Sequence, residues 1–342
     1  MFSRRDVARL GVAGITASLA APALGQAQAA VDFHTLSSNN VPGELGIAIY
    51  HPPGYDAQRA EPYPLLLLLH GGNGSERDLL YFTQVFDDEI RAGRLPPVVI
   101  AMPSARRSLY MDFRDGSQSW ERFILEDVLP FVRRSAAVAQ TRNGTFLSGI
   151  SMGGLGALRI AFKHPHLFAA VAALEPAIEP KLAWTGVGPE TRFWRPETVL
   201  YPIFGEPVDA QFWEANNPAT IAHRDPGRLR DLGIYLEVGD QDTLYLYEGA
   251  EFFHRVLFDA RLAHEYRLVH GADHVGRSLG ERMGNALGFI GRQISPPAWI
   301  DESVEGLRAV MDQQKREAGV EVRRRDQKRL ETAEITGTSS TS

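Results

Sequence analysis

The sequence predicts an α/β protein with a mostly parallel central sheet and helices on both faces of that sheet. From residue 31 onward, short apolar runs alternate with segments whose apolar residues recur every three or four positions, which is typical of strands alternating with amphipathic helices. The apolar runs are unbroken, as expected for parallel strands that are covered on both faces.

The individual strands are predicted from apolar runs that have turn-forming residues on both sides. The clearest is the run of five leucines at residues 65–69, directly after Pro64. The other predicted strands cover residues 98–101, 145–147, 168–174, 234–238 and 265–269. Helical spacing of apolar residues predicts helices at residues 75–92, 119–134, 152–163, 247–261 and 276–292, each of which follows a strand.

Two regions depart from this alternation. Residues 176–222 contain prolines, glycines and several aromatic residues with little periodicity, and we expect a cap-like insertion over the carboxyl edge of the sheet, with a packed structural loop as the alternative. Residues 296–342 begin with two prolines, continue as charged, helix-favouring sequence and end in a Ser/Thr-rich stretch. A solvated helix with a disordered tail is expected there, after a catalytic domain over residues 30–295.

The composition excludes several classes of function. Of the 342 residues, 44% are hydrophobic and 23% are charged, as in a soluble globular protein. The formal net charge is −6 and no basic stripe crosses the chain, so nucleic acid is not an expected partner. The chain has no cysteine, which leaves covalent catalysis to Ser, Thr, Lys or carboxylates.

The first 29 residues are typical of an export signal. Ser3-Arg4-Arg5 precedes a mildly apolar, Gly/Ala-rich stretch over residues 10–24, and Ala27-Gln28-Ala29 fits a cleavage site. The paired arginines indicate twin-arginine export, so we expect a periplasmic or secreted protein without a membrane span after cleavage. An uncleaved anchor is the alternative, but the Gly, Ser, Thr and Pro residues in the stretch make it marginal for crossing a bilayer.

The strongest functional signal is the sequence Gly-Ile-Ser-Met-Gly-Gly at residues 149–154, between a predicted strand and a predicted helix. This is the G-x-S-x-G pattern of a nucleophile elbow in its expected context. Glycine neighbours permit the sharp strand-to-helix turn because they have no Cβ. We therefore predict that Ser151 is a nucleophile at the start of a helix, whose dipole favours a developing negative charge.

A serine hydroxyl needs a general base and a third group that orients this base, and after such an elbow the acid precedes the histidine along the chain. Asp240 and Asp242 both follow a predicted strand; Asp242 is preferred because the loop needs a few residues to swing back under the base, and Asp240 is then a turn residue. His270 and His274 follow the next predicted strand. His274 is preferred because a glycine-containing loop places it over the elbow, whereas His270 stands at the strand end.

Acyl transfer also requires hydrogen-bond donors for the oxyanion. The N–H of Met152, directly after the nucleophile, is one predicted donor. The other is expected from Gly72 in the loop His-Gly-Gly-Asn-Gly at residues 70–74, where glycines allow close approach of the backbone. This loop lacks the Lys-Ser/Thr ending of a phosphate-binding loop. Acyl transfer through a serine is expected to require neither a metal nor an organic cofactor.

Over residues 46–294 the chain resembles the putative-esterase branch of the α/β-hydrolases, which includes esterase D (S-formylglutathione hydrolase), feruloyl esterases and mycobacterial mycolyltransferases. The resemblance is carried by Leu-His-Gly-Gly at residues 69–72, by the elbow motif and by segments within residues 108–130. It implies an α/β-hydrolase fold, cleavage of carboxylic esters, and Asp242 and His274 as acid and base. The export signal and the lack of cysteine depart from the formylglutathione enzymes.

The sequence thus predicts an exported serine carboxylesterase that cleaves a small-molecule or carbohydrate-linked ester through an acyl-enzyme. The alternative is an acyltransferase, in which an alcohol replaces water as the acceptor. A non-catalytic binding protein on the same fold is disfavoured by the complete order of Ser, Asp and His. Tyr110 and Trp120 are candidate substrate contacts in an aromatic acyl pocket, with a place in the core as the alternative that the sequence favours.

Overall fold

An eight-stranded sheet forms the centre of the computed structural model, which describes residues 29–189, 193–297 and 301–322. Its strands lie in the order β1-β2-β4-β3-β5-β6-β7-β8. Strands β3 to β8 run parallel to one another, whereas β1 pairs with β2, and β2 with β4, antiparallel. The strands are β1 Ala30–Ser37, β2 Glu44–His51, β3 Leu65–Leu69, β4 Val99–Pro103, β5 Thr145–Ile150, β6 Ala170–Leu174, β7 Gly233–Gly239 and β8 Glu265–Val269.

Helices cover both faces of the sheet, which confirms the predicted α/β class with a mostly parallel sheet. Alternate leucines of β3 enter different cores: Leu66 and Leu68 share a cluster with residues of α1 and α9, and Leu65, Leu67 and Leu69 share one with α3, α4 and α8. The helices are α1 Leu79–Arg91, α2 Trp120–Arg122, α3 Leu129–Ser135, α4 Met152–Lys163, α5 Glu197–Phe204, α6 Ala210–Asn216, α7 Pro218–Arg224, α8 Leu246–Asp259, α9 Leu279–Ile294 and α10 Glu302–Glu317, with a π-helical turn Phe123–Val128 between α2 and α3.

The antiparallel strands β1 and β2 were not predicted from the sequence. Strand β1 is an edge strand whose residues are exposed or half-buried apart from Leu36, so it contains no continuous apolar run. Strand β2 is mostly buried, but Gly46 and Ala48 interrupt its run of large apolar residues. The sheet is therefore wider than the sequence indicated, and its parallel part is the part that was predicted.

Residues 176–222, between β6 and β7, contain short helices that the sequence pattern did not indicate. Helix α7 packs against α4 and α8, so this segment is part of the helical layer. Its aromatic side chains differ in burial, and Trp184, Trp194, Tyr201 and Phe212 are half-buried. Phe204 and Trp213 are buried in the core, whereas Phe193 is 52% exposed.

The predicted charged helix near the carboxyl end is present as α10, most of whose residues are exposed. Of the predicted export signal, residues 1–28 lie outside the described residues, as do residues 323–342 of the predicted tail. Among the helices within the described ranges, none combines the length and the apolar character that a membrane crossing needs.

Helix α4 approaches strands β3 and β5 so closely that no side chain fits between them. A Cβ added to Gly153 would lie 2.1 Å from the carbonyl oxygen of Leu69, and one added to Gly149 would lie 2.3 Å from the carbonyl oxygen of Gly153. Both contacts are with backbone atoms, so no side-chain rotation relieves them. The sequence correctly indicated that glycine is needed at positions 149 and 153, two residues from Ser151 on either side.

We predict that Gly153→Ala lowers the free energy of unfolding by about 1–3 kcal/mol, because the added methyl group forces α4 away from β3. The matched control is Gly288→Ala in α9, where the added Cβ meets only the flexible end of Arg292 at 3.7 Å. That substitution is expected to raise the free energy of unfolding by up to about 1 kcal/mol through helix propensity. Urea denaturation measures both. Equal stability of the two variants would contradict the packing argument.

Candidate active site

Ser151 stands in the turn between β5 and α4. Its φ of 56° and ψ of −115° lie in a region that residues with a Cβ rarely adopt. The turn is fixed by backbone hydrogen bonds: the Ser151 N–H donates to the carbonyl of Leu174 at 2.9 Å, and its own carbonyl accepts from the N–H of Leu155 at 3.0 Å. The end of β6 and the first turn of α4 therefore set the place of the Ser151 hydroxyl.

The imidazole of His274 bridges Ser151 and Asp242. Its Nε2 lies 3.1 Å from Ser151 Oγ, and its Nδ1 lies 2.8 Å from Asp242 Oδ2. Asp242 is 1% exposed, and its other oxygen accepts the N–H of Leu244 at 2.7 Å. A carboxylate beside Nδ1 favours the tautomer with hydrogen on Nδ1, which leaves the lone pair of Nε2 directed at the serine hydroxyl. The geometry permits proton transfer from Oγ to Nε2.

The other two candidates, Asp240 and His270, bind each other instead. His270 Nδ1 lies 2.8 Å from Asp240 Oδ2, and Asp240 Oδ1 accepts the N–H of Gly271 at 2.7 Å. The side chain of His270 is 96% exposed. Asp240 lies in the turn after β7, as the sequence indicated, but its side chain binds the loop after β8 and not its own backbone. The structure brings Asp242 and His274 to Ser151.

Asp273 ties together the loops after β7 and β8. Its Oδ1 accepts hydrogen bonds from the hydroxyl and the N–H of Thr243, at 2.7 and 2.9 Å, and from the N–H of His274 at 2.6 Å. The Thr243 hydroxyl, followed by these two backbone donors, lowers the pKa of Asp273. The loop that carries His274 is therefore held to the loop that carries Asp242. This contact was not predicted, because nothing in the sequence distinguishes Asp273 from other polar loop residues.

His70 anchors the glycine loop after β3. Its Nδ1 lies 2.7 Å from the carbonyl oxygen of Gly71, and its Nε2 lies 2.9 Å from the N–H of Ala105, which requires a neutral ring with hydrogen on Nδ1. Burial lowers the pKa of His70, against the opposing effects of the Gly71 carbonyl, Asp78 and Glu76. The loop is thus held by a ring whose neutral form the interior favours.

The glycine loop passes next to the nucleophile. A Cβ added to Gly71 would lie 3.8 Å from Ser151 Cβ, whereas one added to Gly72 would meet no atom within 4 Å. Met152 is the first residue of α4, so its N–H has no acceptor within the helix. The two predicted oxyanion donors are therefore close to Ser151 along the chain or in space. Gly72 is next in sequence to Gly71, which borders Ser151, and Met152 is next in sequence to Ser151 itself.

The structure places the two candidate substrate contacts, Tyr110 and Trp120, in the core. Tyr110 is 0% exposed and its hydroxyl donates to the carbonyl of His70 at 3.2 Å; Trp120 is 1% exposed and its Nε1 donates to Gln118 at 2.8 Å. Neither ring offers a surface to a substrate. The role of substrate contact is therefore replaced by packing, which is the alternative that the sequence favoured, and Tyr110 also supports the glycine loop through His70.

Sequence reasoning missed one charged residue of the site, Glu175. It is fully buried directly after β6, its Oε2 lies 3.4 Å from His274 Nδ1, and its Oε1 forms an ion pair with Arg282. A carboxylate directly after a buried strand could have indicated a site residue. Only the carboxylates after the next strand were considered, because the acid is expected between the serine and the histidine in that loop. Glu175, Asp242 and His274 are close enough to ligate a cation. However, Arg282 already pairs with Glu175, and His274 is engaged with Ser151.

The chain is similar in sequence to known esterases. The profile of a family described as putative esterase matches residues 38–282. An acetyl esterase of Caldicellulosiruptor saccharolyticus is 31% identical over 119 residues, which is 35% of this chain and 43% of that protein. An esterase of Mycobacterium tuberculosis is 29% identical over 132 residues, 37% of this chain and 28% of that protein. The match therefore spans less than half the length of either relative.

Solved structures share the fold over a larger part of the chain. A ferulic acid esterase superposes with a TM-score of 0.65 at 20% identity and covers 78% of this chain and 99% of its own. An S-formylglutathione hydrolase from Agrobacterium tumefaciens superposes with a TM-score of 0.64 at 17% identity and covers 80% and 99%. At these identities the likeness establishes the fold, with its sheet and flanking helices.

Proposed function

The chain belongs to the putative esterase family of the α/β-hydrolases, and on that premise we propose that it is a serine carboxylesterase that acts through Ser151, His274 and Asp242. The observation that carries the proposal is the continuous series of contacts from the serine oxygen through the imidazole to a buried carboxylate, at 3.1 and 2.8 Å. A hydroxyl, a base and an orienting acid in this relation are what nucleophilic acyl transfer requires.

In the first half of the proposed reaction, Ser151 Oγ attacks the ester carbonyl carbon while His274 Nε2 takes the hydroxyl proton. Asp242 keeps the Nδ1–H bond directed away from Ser151 and stabilises the imidazolium that forms. The carbonyl oxygen becomes an oxyanion, and the N–H groups of Gly72 and Met152 are the proposed donors to it. One such donor typically contributes about a hundredfold or more in rate.

In the second half, the imidazolium gives its proton to the departing alcohol oxygen, the carbon–oxygen bond of the ester breaks, and the acyl group remains on Ser151. Water then attacks the acyl carbon while His274 takes one of its protons. Collapse of this second tetrahedral intermediate returns that proton to Ser151 Oγ and releases the carboxylic acid. No step uses a metal or an organic cofactor.

The proposed substrates are carboxylic esters of small molecules or carbohydrates. The names of the relatives, acetyl esterase and ferulic acid esterase, support acetyl and feruloyl esters as the first to assay. Two exposed aromatic residues also offer apolar surface near Asp242. Phe193 and Tyr245 are 52% and 54% exposed with ring centroids 5.6 Å apart, and the Tyr245 N–H donates to the carbonyl of Asp242.

The proposed function is tested by Ser151→Ala, which is expected to lower kcat on p-nitrophenyl acetate by at least about 1,000-fold and to abolish labelling by a fluorophosphonate probe, because no oxygen nucleophile remains. Ser148→Ala is the matched control: it removes a buried hydroxyl from the same strand and is expected to leave labelling unchanged. Circular dichroism checks that both variants fold. Near-wild-type turnover by folded Ser151→Ala would overturn the proposal.

The assignment of the acid is tested by comparing Asp242→Asn with Asp240→Asn. The first is expected to lower kcat by at least about 100-fold, because the amide no longer fixes the imidazole tautomer or stabilises the imidazolium. The second weakens the contact with the exposed side chain of His270 and keeps an oxygen acceptor for the N–H of Gly271, so kcat is expected to change by less than about threefold. Steady-state kinetics at one pH separates them. The reverse order of losses would assign Asp240 as the acid.

We further propose that the protein is exported as a folded chain by the twin-arginine route. The paired arginines, the Gly/Ala-rich stretch after them and the absence of cysteine support this proposal. Replacement of Arg4 and Arg5 by lysine is expected to retain the protein in the cytoplasm of a bacterial host, because the paired arginines are the recognised feature. Cell fractionation measures this. Unchanged export of that variant would contradict the route.

A further inference from the structure

Glu175 combines an uncommon backbone conformation with a fully buried charged side chain. Its φ is 48°, in the left-handed region, and its side chain is fully buried. Its N–H donates to the carbonyl of Glu237 at 2.6 Å, and the carbonyl of the preceding residue, Leu174, accepts the N–H of Ser151. A buried charge on an uncommon backbone conformation beside the proposed nucleophile indicates a functional constraint.

The two oxygens of the Glu175 carboxylate have different surroundings. Oε1 forms the ion pair with Arg282, which is also buried and which donates a second hydrogen bond to the carbonyl of Asp273 at 2.8 Å. Oε2 accepts no hydrogen bond from the described residues and lies 3.4 Å from His274 Nδ1. Arg282 therefore holds both the carboxylate and the loop that carries His274.

Three carboxylates and one guanidinium lie around the imidazole of His274. Asp242 and Glu175 each place an oxygen near Nδ1, Asp273 accepts the backbone N–H of His274, and Arg282 binds the Glu175 oxygen that does not face the ring. A buried carboxylate oxygen without a donor gains most from a donor that becomes positively charged. The imidazolium that forms during acyl transfer is such a donor.

We propose that Glu175 is a positioning residue for the reaction, a second carboxylate that shares Nδ1 of His274 with Asp242 and that Arg282 holds in place. This inference rests on the proposed roles of Ser151 and His274. With two acceptors, the Nδ1–H bond stays directed away from Ser151 while the ring moves between the serine oxygen and the leaving group. Loss of Asp242 then leaves a residual activity that depends on Glu175.

The test is a double-mutant cycle of Asp242→Ala and Glu175→Gln. Glu175→Gln is expected to lower kcat by about tenfold or less in the wild-type background, with KM little changed, and by about 100-fold in the Asp242→Ala background, where Nδ1 has no other carboxylate. Steady-state kinetics on one ester gives the four values. Equal losses in the two backgrounds would show that Glu175 acts only through the structure.

The matched control is Glu179→Gln. Glu179 forms another buried ion pair, with Arg195, in which the two side chains are 3% and 4% exposed. Its loss is expected to lower thermal stability as Glu175→Gln does, but to leave kcat and the pH profile unchanged. A Glu179→Gln variant with the same kinetic defect as Glu175→Gln would assign that defect to lost stability and overturn the proposal.

A readout independent of turnover is the NMR titration of His274 in the Ser151→Ala background. Glu175→Gln is expected to lower the titration midpoint by about 0.5 pH unit or more, because it removes a negative charge that favours the imidazolium. In the active enzyme the acidic limb of kcat/KM moves to lower pH for the same reason. Should Glu175→Gln alone fail to fold, the neutral pair Glu175→Gln/Arg282→Gln leaves no unpaired buried charge, and its loss of kcat is again expected to be larger in the Asp242→Ala background than in the wild type.

The outcomes separate the two proposals. An unmoved midpoint, with Ser151→Ala inactive, overturns the role of Glu175 and leaves the esterase proposal intact. Activity in folded Ser151→Ala overturns both. A lowered midpoint together with the larger loss in the Asp242→Ala background supports the second carboxylate.

Discussion

The close approach of α4 to the sheet is the constraint on which the site depends. Gly149 leaves no room for a side chain between β5 and α4, and Gly153 leaves none between α4 and the backbone of β3. Ser151 is therefore held in its uncommon backbone conformation at the end of β5. Parallel strands end at the same edge of a sheet, so the loops after β3, β6, β7 and β8 reach that point as well. The strand order thus places the loops at one edge of the sheet, and the two glycines allow Ser151 to lie next to them.

Polar contacts hold the loops at this edge, where the ladder hydrogen bonds of the sheet end and backbone groups need other partners. His70 holds the glycine loop by accepting one backbone N–H and donating to one carbonyl. Asp273 joins the two loops that carry the acid and the base, and Arg282 joins the base loop to Glu175. Each contact spans two segments, so the positions of the reacting groups depend on one another.

The sequence predicted the elements whose local pattern is complete: the leucine run of β3 and helix α4 have the predicted bounds, and the loops that carry Asp242 and His274 reach Ser151 as expected. It did not predict helices α5 to α7, because seven or eight residues give about two turns and show little periodicity. Glu175 was missed because it lies near Ser151 only when β5 and β6 pair side by side, which the sequence pattern does not show.

Buried carboxylates lie on the side of His274 that faces away from Ser151. Asp242 Oδ2 and Glu175 Oε2 lie 2.8 and 3.4 Å from Nδ1, and Arg282 binds the other oxygen of Glu175. In a region of low dielectric, negative charge at this place stabilises the positive charge that develops on the ring as it takes the serine proton. The oxyanion of that same state lies on the other side of the serine, toward backbone donors. In the proposed reaction, the protein thus stabilises the charges of the transition state more than those of the ground state, which is the condition for raising kcat.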